Sequence, residues 1–304
     1  MGLMIDSPAT RLLGRSSERL KVHGLRPEKT RNLIEQWFLA FGELLSECKT
    51  VDEIGVEVEL LAHPPLHCGF GSGTQLALSV AKLMFHCCGL DEPPVEKLAK
   101  AMSRGRRSAI GSYGFSQGGF LVDAGVNATE QISPLDLRSP FPAAWRIVLL
   151  YPTDATGLHG QLENLAFDSM VDHDESKRER LVGLCKQIVG PAIVDANYDS
   201  LGAALLEFNR SSGEYFEEYQ DGCYHSQFCE QLVGEVRKLG VDAVGQSSWG
   251  PCVFAIVESA DDADQLVSGL QQSKLLSDSS VEVTITTANN TGATVSSTGD
   301  VVVT

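Results

Sequence analysis

The chain has 304 residues, 43% of them hydrophobic and 21% charged, which is typical of a folded globular protein and argues against a disordered, collagen-like or coiled-coil chain. Lys and Arg number 24 and Asp and Glu number 40, so the formal charge is −16, which argues against nucleic-acid binding through a broad basic surface. No apolar run reaches the ~20 residues of a transmembrane helix, and no signal-peptide pattern opens the chain. We therefore expect a cytoplasmic protein without membrane contact, whose eight cysteines are reduced and mostly buried.

The first half of the chain is predicted to alternate between helices and strands. Apolar residues recur at three- and four-residue steps over 28–48, which indicates an amphipathic helix. Residues 55–62 alternate as a strand does, and a loop rich in Pro and Gly leads to an almost wholly apolar helix at 75–88. A short helix at 94–103 runs into a basic loop, and residues 119–125 are predicted to form a strand that ends in a turn.

A segment rich in Pro and polar residues at 133–145 marks a soft boundary, so we expect one domain over 1–143 and a second over 144–304. The small polar residues of 289–304 predict a loosely held tail. Strand–helix alternation with hairpin-like strand pairs indicates an α+β chain in two lobes. The second lobe is predicted to contain strands at 145–152, within 241–257 and at 281–288, and helices at 159–189, 198–210, 224–239 and 261–273.

The strongest local signal is Gly-Phe-Gly-Ser-Gly-Thr at 69–74, between a predicted strand and a buried helix. Glycines let the backbone approach a ligand closely, and the N–H groups at a helix start attract phosphate. The segment lacks the Gly-Lys-Ser/Thr ending of a Walker motif and the downstream acidic residue of a dinucleotide fingerprint. A plain Gly-rich turn explains so short a motif about as well as a phosphate site does.

Three arginines fall within four residues of this acidic chain, at Arg104, Arg106 and Arg107. The planar guanidinium suits phosphate and carboxylate, although cations also commonly follow the end of a helix. Farther along, Asp123 ends a predicted strand, where it is either catalytic or the cap of a turn.

Other polar segments give weaker signals. The turn at 245–251 carries two Ser and a Trp, which is more than a hairpin turn requires. His63 and His67 have a metal-like spacing, but two prolines between them and the lack of a second ligand pair argue against zinc. His159 and Glu163 are one helical turn apart and face either a lobe interface or solvent.

Together these motifs resemble a known family. The segment 65–75 resembles the phosphate loop of the GHMP superfamily, the group of galactokinase and homoserine kinase. Its Gly-Thr-Gln ending, followed by Arg-Gly-Arg-Arg-Ser-Ala-Ile-Gly, Gly-Gly-Phe-Leu-Val-Asp and Gly-Gln-Ser-Ser-Trp-Gly-Pro, resembles the β-ribofuranosylaminobenzene 5′-phosphate synthase family. The resemblance covers most of the chain, from Gly2 to about the strand at 281–288.

This resemblance implies an α+β, GHMP-type two-lobe fold, with a ribosomal-S5-domain-2-like N-terminal lobe and a ferredoxin-like C-terminal lobe. It implies a cytoplasmic enzyme of tetrahydromethanopterin biosynthesis, a decarboxylating phosphoribosyltransferase. Such an enzyme joins phosphoribosyl diphosphate to 4-aminobenzoate or 4-hydroxybenzoate and releases CO₂ and diphosphate. Dependence on Mg²⁺ and a homodimer are also implied.

The hypothesis of a decarboxylating phosphoribosyltransferase assigns roles to residues. Asp123 and Arg106 would be catalytic, and Asp123 would also hold Mg²⁺. The arginines would hold either phosphate or the benzoate carboxylate, and the Trp of the 245–251 turn would pack on the aromatic acid. The other expected substrate- and phosphate-binding residues are His67, Gly69, Gly71, Ser72, Gly73, Thr74, Gln75, Arg104, Arg107, Ser108, Gln246, Ser247, Ser248 and Trp249.

Two departures from the family pattern keep alternatives open. GHMP kinases usually carry a catalytic Asp before a Gly-Gly pair, whereas residues 109–117 contain none, which argues against an ATP-dependent small-molecule kinase. The family normally begins with a strand pair ahead of the segment matching residues 2–8. We therefore expect N-terminal strands to be missing or to lie upstream, and a non-catalytic binding protein that has lost them is the third reading.

Overall fold

The computed structural model describes residues 1–106, 108–125, 132–153, 175–217, 220, 222–248, 250–277, 280–297 and 299–304. The chain folds into two compact units. The first contains residues 1–64, 71–138 and 289–304, and the second contains residues 65–70 and 139–288.

This division differs from the predicted domains 1–143 and 144–304 at two places. Residues 289–304 belong to the first unit because β12 (Val301–Val303) pairs antiparallel with β2 (Arg11–Ser16). Residues 65–70 belong to the second unit, where backbone and side chains of that unit hold them. The predicted loose tail is wrong, since β12 is an interior strand of a sheet and Val303 is fully buried.

The first unit is built on a five-stranded sheet in the order β11-β12-β2-β4-β3. Strand β4 (Val56–Ala62) pairs antiparallel with β2 and parallel with β3 (Lys21–Gly24), and β11 (Val295–Ser297) pairs with β12. Alternate residues of β4 are buried, as the predicted strand at 55–62 requires. The sequence had predicted no element at β2 or β3, which lie at the N-terminal side of the first helix.

Two helices bury their apolar faces within this unit. Helix α1 (Pro27–Phe41) covers most of the predicted helix at 28–48 but ends at Phe41, where a short 3₁₀ turn follows. Helix α2 (Ser72–Cys87) is buried on nearly all sides, as predicted. Phe85 of α2 packs edge-to-face against Trp37 of α1, with ring centroids 5.4 Å apart.

A second, three-stranded sheet has the order β1-β5-β6 and includes β1 (Gly2–Leu3), β5 (Phe120–Asp123) and β6 (Leu135–Ser139). Helix α3 (Val95–Ala101) matches the predicted short helix. Helix α4 (Ile110–Gln117) lies in a Gly-rich stretch for which no helix was predicted.

The second unit contains a four-stranded sheet in the order β10-β7-β9-β8, and each neighbouring pair is antiparallel. Its strands are β7 (Arg146–Pro152), β8 (Val244–Gln246), β9 (Val253–Val257) and β10 (Val281–Thr286). Its described helices are α5 (Glu175–Leu184), α6 (Gly190–Val194), α7 (Tyr198–Phe216), α8 (Gln227–Lys238), α9 (Ala260–Gln271) and α10 (Lys274–Ser277).

Helices α8 and α9 pack on this sheet through a common apolar core. Leu232 of α8 and Leu266 of α9 are buried with Val148 and Val253 of the strands. Ser259 caps α9 by accepting a hydrogen bond from the Asp262 N–H at 3.1 Å. Asp261 and Asp262, in the first turn of α9, therefore lie at the positive end of the helix dipole. Among the described helices, none combines the length and apolarity that crossing a bilayer would take.

Candidate functional site

The Gly-rich segment opens helix α2 in a conformation that leaves backbone N–H groups for a ligand. Gly71, the N-cap, is left-handed at φ 61°, and no side chain caps the helix. The N–H groups of Thr74 and Gln75 donate to the Gly71 carbonyl at 3.0 and 3.2 Å. The N–H groups of Ser72 and Gly73 lie outside this ladder, at the positive end of a sixteen-residue dipole. This geometry suits an anion.

Arg104 brings a cation to the same helix start. A Cβ placed on Gly73 would lie 3.8 Å from an Nη atom of Arg104. The Nε atom of Arg104 is buried and has no hydrogen-bond partner among the described residues. Burial lowers the pKa of this guanidinium below its ordinary value. A desolvated cation beside open N–H groups is favourable only when an anion joins it.

The first turn of α4 packs directly on the first turn of α2. Gln75 Nε2 donates to the Gly111 carbonyl at 2.9 Å. A Cβ on Gly111 would lie 3.2 Å from the Thr74 methyl carbon, so glycine is what permits this approach. Gln75 therefore has a structural contact here, and its predicted role in substrate binding stays a prediction.

Asp123 is held at the start of α4. Its Oδ2 atom accepts hydrogen bonds from the Ala109 N–H and the Ser108 hydroxyl, both at 2.8 Å. These two bonds tie the end of β5 to the residues that precede and begin α4, which is a structural role for Asp123. The catalytic role of Asp123 stays a prediction, and its Oδ1 atom takes neither of these two bonds.

The three arginines do not share one environment. Arg104 is half-buried, whereas Arg106 is exposed. Arg107 lies outside the described residues. The structure therefore places Arg104 at the start of α2, and the predicted roles of Arg106 and Arg107 stay predictions.

In the second unit, the loop 65–70 is fastened to the turn that follows β8. The Ser247 hydroxyl donates to the Gly69 carbonyl at 2.8 Å. Gly69 has φ 92°, and a Cβ there would overlap the Ser247 carbonyl. A Cβ on Gly250 would likewise overlap the backbone of Cys68 and Gly69. Two of the motifs singled out from the sequence, loop 65–70 and turn 245–251, are thus neighbours in this unit.

Phe70 anchors the end of the same loop. Its ring packs edge-to-face on Tyr151 of β7, with centroids 5.3 Å apart. Burial is the main cause that raises the pKa of Tyr151, to about 12, so this phenol stays neutral at physiological pH. His67, in the same loop, has a left-handed backbone at φ 58°.

Gln246 and Ser248 have structural contacts of their own. The Gln246 amide donates to the Ser248 carbonyl at 2.8 Å and accepts from the His225 N–H at 2.5 Å. The Gln246 N–H donates to Oδ1 of Asn209, a buried residue of α7 that the sequence analysis missed. A lone Asn in an amphipathic helix carries no local signal for such a role. The predicted Trp249 lies outside the described residues.

The cysteines and histidines do not form a metal centre in the described part of the chain. Burial raises the pKa of Cys87 to about 11 and is the main cause that raises that of Cys88 to about 12, so both are inert thiols at neutral pH. Burial also lowers the pKa of His63. No group of three or more His, Cys, Asp or Glu able to hold a metal occurs among the described residues. The predicted pair His159 and Glu163 lies outside them.

The surroundings of Asp123 bear on Mg²⁺. One of its oxygens already accepts two hydrogen bonds, so Asp123 offers at most one further ligand atom. Mg²⁺ is usually held by one or two carboxylates, with water and substrate phosphates filling the remaining positions. Asp123 alone therefore does not make a site for a resident metal, and the Mg²⁺ expected from the sequence stays a prediction.

Comparison with known proteins gives matches in both halves of the chain. The family model described as GHMP kinases N terminal domain matches residues 32–119, and the model described as GHMP kinases C terminal matches residues 191–274.

Three curated relatives carry the name beta-ribofuranosylphenol 5'-phosphate synthase. The protein of Archaeoglobus fulgidus is 29% identical over 277 residues, which cover 85% of this chain and 80% of the relative. That of Methanocaldococcus jannaschii is 27% identical over 86% of this chain and 85% of its own. That of Methanothermobacter thermautotrophicus is 28% identical over 64% of this chain and 61% of its own.

Solved structures show the same fold at low identity. Lactococcus lactis galactokinase matches with a TM-score of 0.68 and 14% identity over 95% of this chain and 87% of its own. A homoserine kinase from Cytophaga hutchinsonii matches with a TM-score of 0.61 and 16% identity over 98% of this chain and 90% of its own.

Proposed function

Because this chain belongs to the GHMP family and has the fold of that family, we propose that it is a decarboxylating phosphoribosyltransferase. The proposed reaction joins phosphoribosyl diphosphate to 4-aminobenzoate or 4-hydroxybenzoate and releases CO₂ and diphosphate, in tetrahydromethanopterin biosynthesis. The names of the three curated relatives support the reaction class. The observation that carries it is the half-buried Arg104 beside the uncapped start of α2, a site for a phosphate-bearing substrate.

The proposed chemistry requires no proton transfer. The bond between the anomeric carbon and the diphosphate breaks, and its electron pair leaves with the diphosphate. The ring carbon that bears the carboxylate then bonds to the anomeric carbon. The carbon–carbon bond to the carboxylate breaks, and its electrons restore the aromatic ring as CO₂ leaves. The protein's tasks are therefore positioning and stabilisation of charge.

The proposed reaction needs no catalytic base, and α4 and its N-cap contain no carboxylate that could serve as one. A kinase of this family would need its catalytic Asp in the stretch that forms α4 and its N-cap, and residues 109–117 contain no carboxylate. A reaction in which CO₂ departs instead of a proton has no need of a base at that place. The absence therefore weighs against phosphoryl transfer and does not weigh against the transferase.

The proposed role of each residue follows from its charge and from the negative charge of the substrate. The start of α2 and Arg104 bind a phosphate group of phosphoribosyl diphosphate, and Mg²⁺ accompanies the diphosphate. Asp123 keeps one carboxylate oxygen for the developing ribosyl cation or for that Mg²⁺. The catalytic role of Arg106, the binding roles of the remaining predicted residues and the homodimer stay predictions.

The direct test is a release assay. The full-length protein is incubated with phosphoribosyl diphosphate, Mg²⁺ and carboxyl-labelled 4-aminobenzoate or 4-hydroxybenzoate, and labelled CO₂ is counted. We expect release that depends on phosphoribosyl diphosphate and equals the diphosphate formed. A folded protein that binds phosphoribosyl diphosphate without releasing label would sink the proposal in favour of a binding protein. Transfer of phosphate from ATP to a small alcohol would instead favour the kinase.

A further inference from the structure

A chain of hydrogen bonds in the second unit links helix α7 to the loop 65–70. It begins at Asn209, whose side chain is buried. Asn209 Nδ2 donates to the Leu205 carbonyl one turn earlier at 2.9 Å, and its Oδ1 accepts the Gln246 N–H at 3.0 Å. A buried carboxamide with both ends bonded has one fixed orientation, so it fixes β8 relative to α7.

The link continues from β8 into the following turn. A Cβ on Gly245 would overlap the Asn209 carboxamide, so glycine is what lets β8 approach α7. Gln246 then binds the Ser248 carbonyl, and the Ser247 N–H donates to the Cys252 carbonyl at 2.8 Å. These bonds leave the Ser247 hydroxyl aimed at the Gly69 carbonyl.

We propose that Asn209 is a positioning residue for the loop 65–70, acting on Gly69 through β8 and Ser247. It holds the backbone of β8 so that Ser247 fixes Gly69 in its left-handed conformation, and Gly69 stands two residues before Gly71, the N-cap of α2. The inference rests on the proposed function only in taking phosphoribosyl diphosphate as the ligand of that loop.

The chain offers a matched control on the same helix. Asn197 caps the N-terminus of α7 by accepting the Ser200 N–H at 3.1 Å, with no bond to β8. Asn197→Ala and Asn209→Ala each remove one carboxamide from α7, and both should lower stability. Ser247→Ala breaks the last bond of the chain without changing a residue of α7 and serves where Asn209→Ala fails to fold.

The first readout needs no ligand. Amide hydrogen exchange is measured in the full-length protein for peptides covering 65–74. We expect exchange there about tenfold faster in Asn209→Ala and in Ser247→Ala than in wild type, the size expected for one lost hydrogen bond. Asn197→Ala should leave this segment at the wild-type rate. Equal acceleration by Asn197→Ala, or none by Asn209→Ala and Ser247→Ala, overturns the inference.

The second readout is the KM for phosphoribosyl diphosphate in the CO₂-release assay. Asn209→Ala should raise it about tenfold with kcat nearly unchanged, and the double variant with Ser247→Ala should raise it no more than the larger single change. If the two fold-changes in KM multiply in the double variant, Asn209 and Ser247 act independently, and the inference is overturned. If wild type releases no CO₂, the proposed function fails, while the exchange experiment still decides the role of Asn209.

Discussion

Arg104 holds a charge that the described part of the protein does not compensate. Removing a guanidinium from water is costly, and the Nε atom of Arg104 finds no hydrogen bond in return among the described residues. Such a residue is expected where a bound anion restores the balance. Removing the guanidinium should therefore weaken anion binding without lowering the stability of the ligand-free protein.

Replacing Arg104 by Gln should weaken the binding of inorganic diphosphate by about 10–100-fold, the loss expected for a charge-assisted hydrogen bond. The ligand-free protein should unfold at the same or a higher temperature, because the buried charge is gone. Titration calorimetry and thermal unfolding measure the two effects. Lys97→Gln removes one exposed positive charge from α3 and should leave affinity within about twofold. A drop in ligand-free stability with unchanged affinity would assign Arg104 a purely structural role.

Gly69 and Gly71 give a second residue-level contrast. Both have positive φ, at 92° and 61°. A Cβ on Gly69 would strike the Ser247 carbonyl, whereas a Cβ on Gly71 meets nothing within 4 Å. Gly71→Ala should therefore cost only about 1–2 kcal/mol of left-handed strain, with the overall fold kept.

We expect Gly69→Ala to be more damaging, since the loop must leave Ser247 to admit the methyl group. CO₂ release should fall below a hundredth of the wild-type rate, and urea unfolding should show a larger loss of stability than for Gly71→Ala. Equal losses in the two variants would show that backbone strain alone, without the contact to Ser247, explains the effect.

Asp123→Asn separates the two roles of this residue. The amide oxygen can still accept the Ala109 N–H, so this hydrogen bond is kept and the unfolding midpoint should change little. The negative charge is lost, and kcat for CO₂ release should fall about 100-fold. Asp123→Ala loses both functions and should in addition lose about 1 kcal/mol of stability. An Asn variant with wild-type kcat would leave Asp123 a structural role alone.

At the scale of elements, α4 shows what a local pattern cannot reveal. Its sequence carries Gly111 and Gly114, which weaken a helix on intrinsic propensity. In the structure each glycine permits a close approach, by Thr74 at one and by Met4 at the other. Packing between distant segments therefore decides the conformation, and no short window of sequence contains that information.

Elements with strong hydrophobic periodicity were predicted well, because their burial pattern is contained in their own residues. The helix at 75–88 and the strand at 55–62 carry their burial pattern in their own residues, and both are confirmed. In the candidate site, the Gly-rich segment and Arg104 were visible as local motifs. Asn209 was not, because its role depends on the partner strand β8, thirty-seven positions away.

Strand β12 yields a prediction at the same scale. Val303 is fully buried in the core of the first unit, one position before the last residue of the segment 289–304 that the sequence predicts to be loose. Val303→Ala should lower the free energy of unfolding by about 2 kcal/mol, measured by urea titration. Ser297→Ala, on the exposed side of β11, should change it by less than about 0.5 kcal/mol. Equal, small changes would mean that β12 detaches from β2 in solution.

For the whole molecule, the −16 charge opposes the proposed substrate. The long-range field of the chain repels an anion, while the start of α2 and Arg104 attract it at short range. Salt screens the long-range repulsion more strongly than the short-range attraction. The Debye length falls from about 30 Å at 0.01 M to about 10 Å at 0.1 M, which suppresses the distant repulsion and leaves contacts at hydrogen-bond distance in a half-buried site largely intact.

We therefore expect the KM for phosphoribosyl diphosphate to stay level or fall by up to about twofold between about 10 and 150 mM potassium chloride. The measurement is the CO₂-release assay at constant free Mg²⁺, so that metal binding to the diphosphate does not change. In Arg104→Gln the short-range attraction is gone, and the relative fall in KM should be larger, because screening then acts on repulsion alone. A KM that rises fivefold or more with salt would mean that exposed cations, and not the half-buried Arg104, provide the attraction.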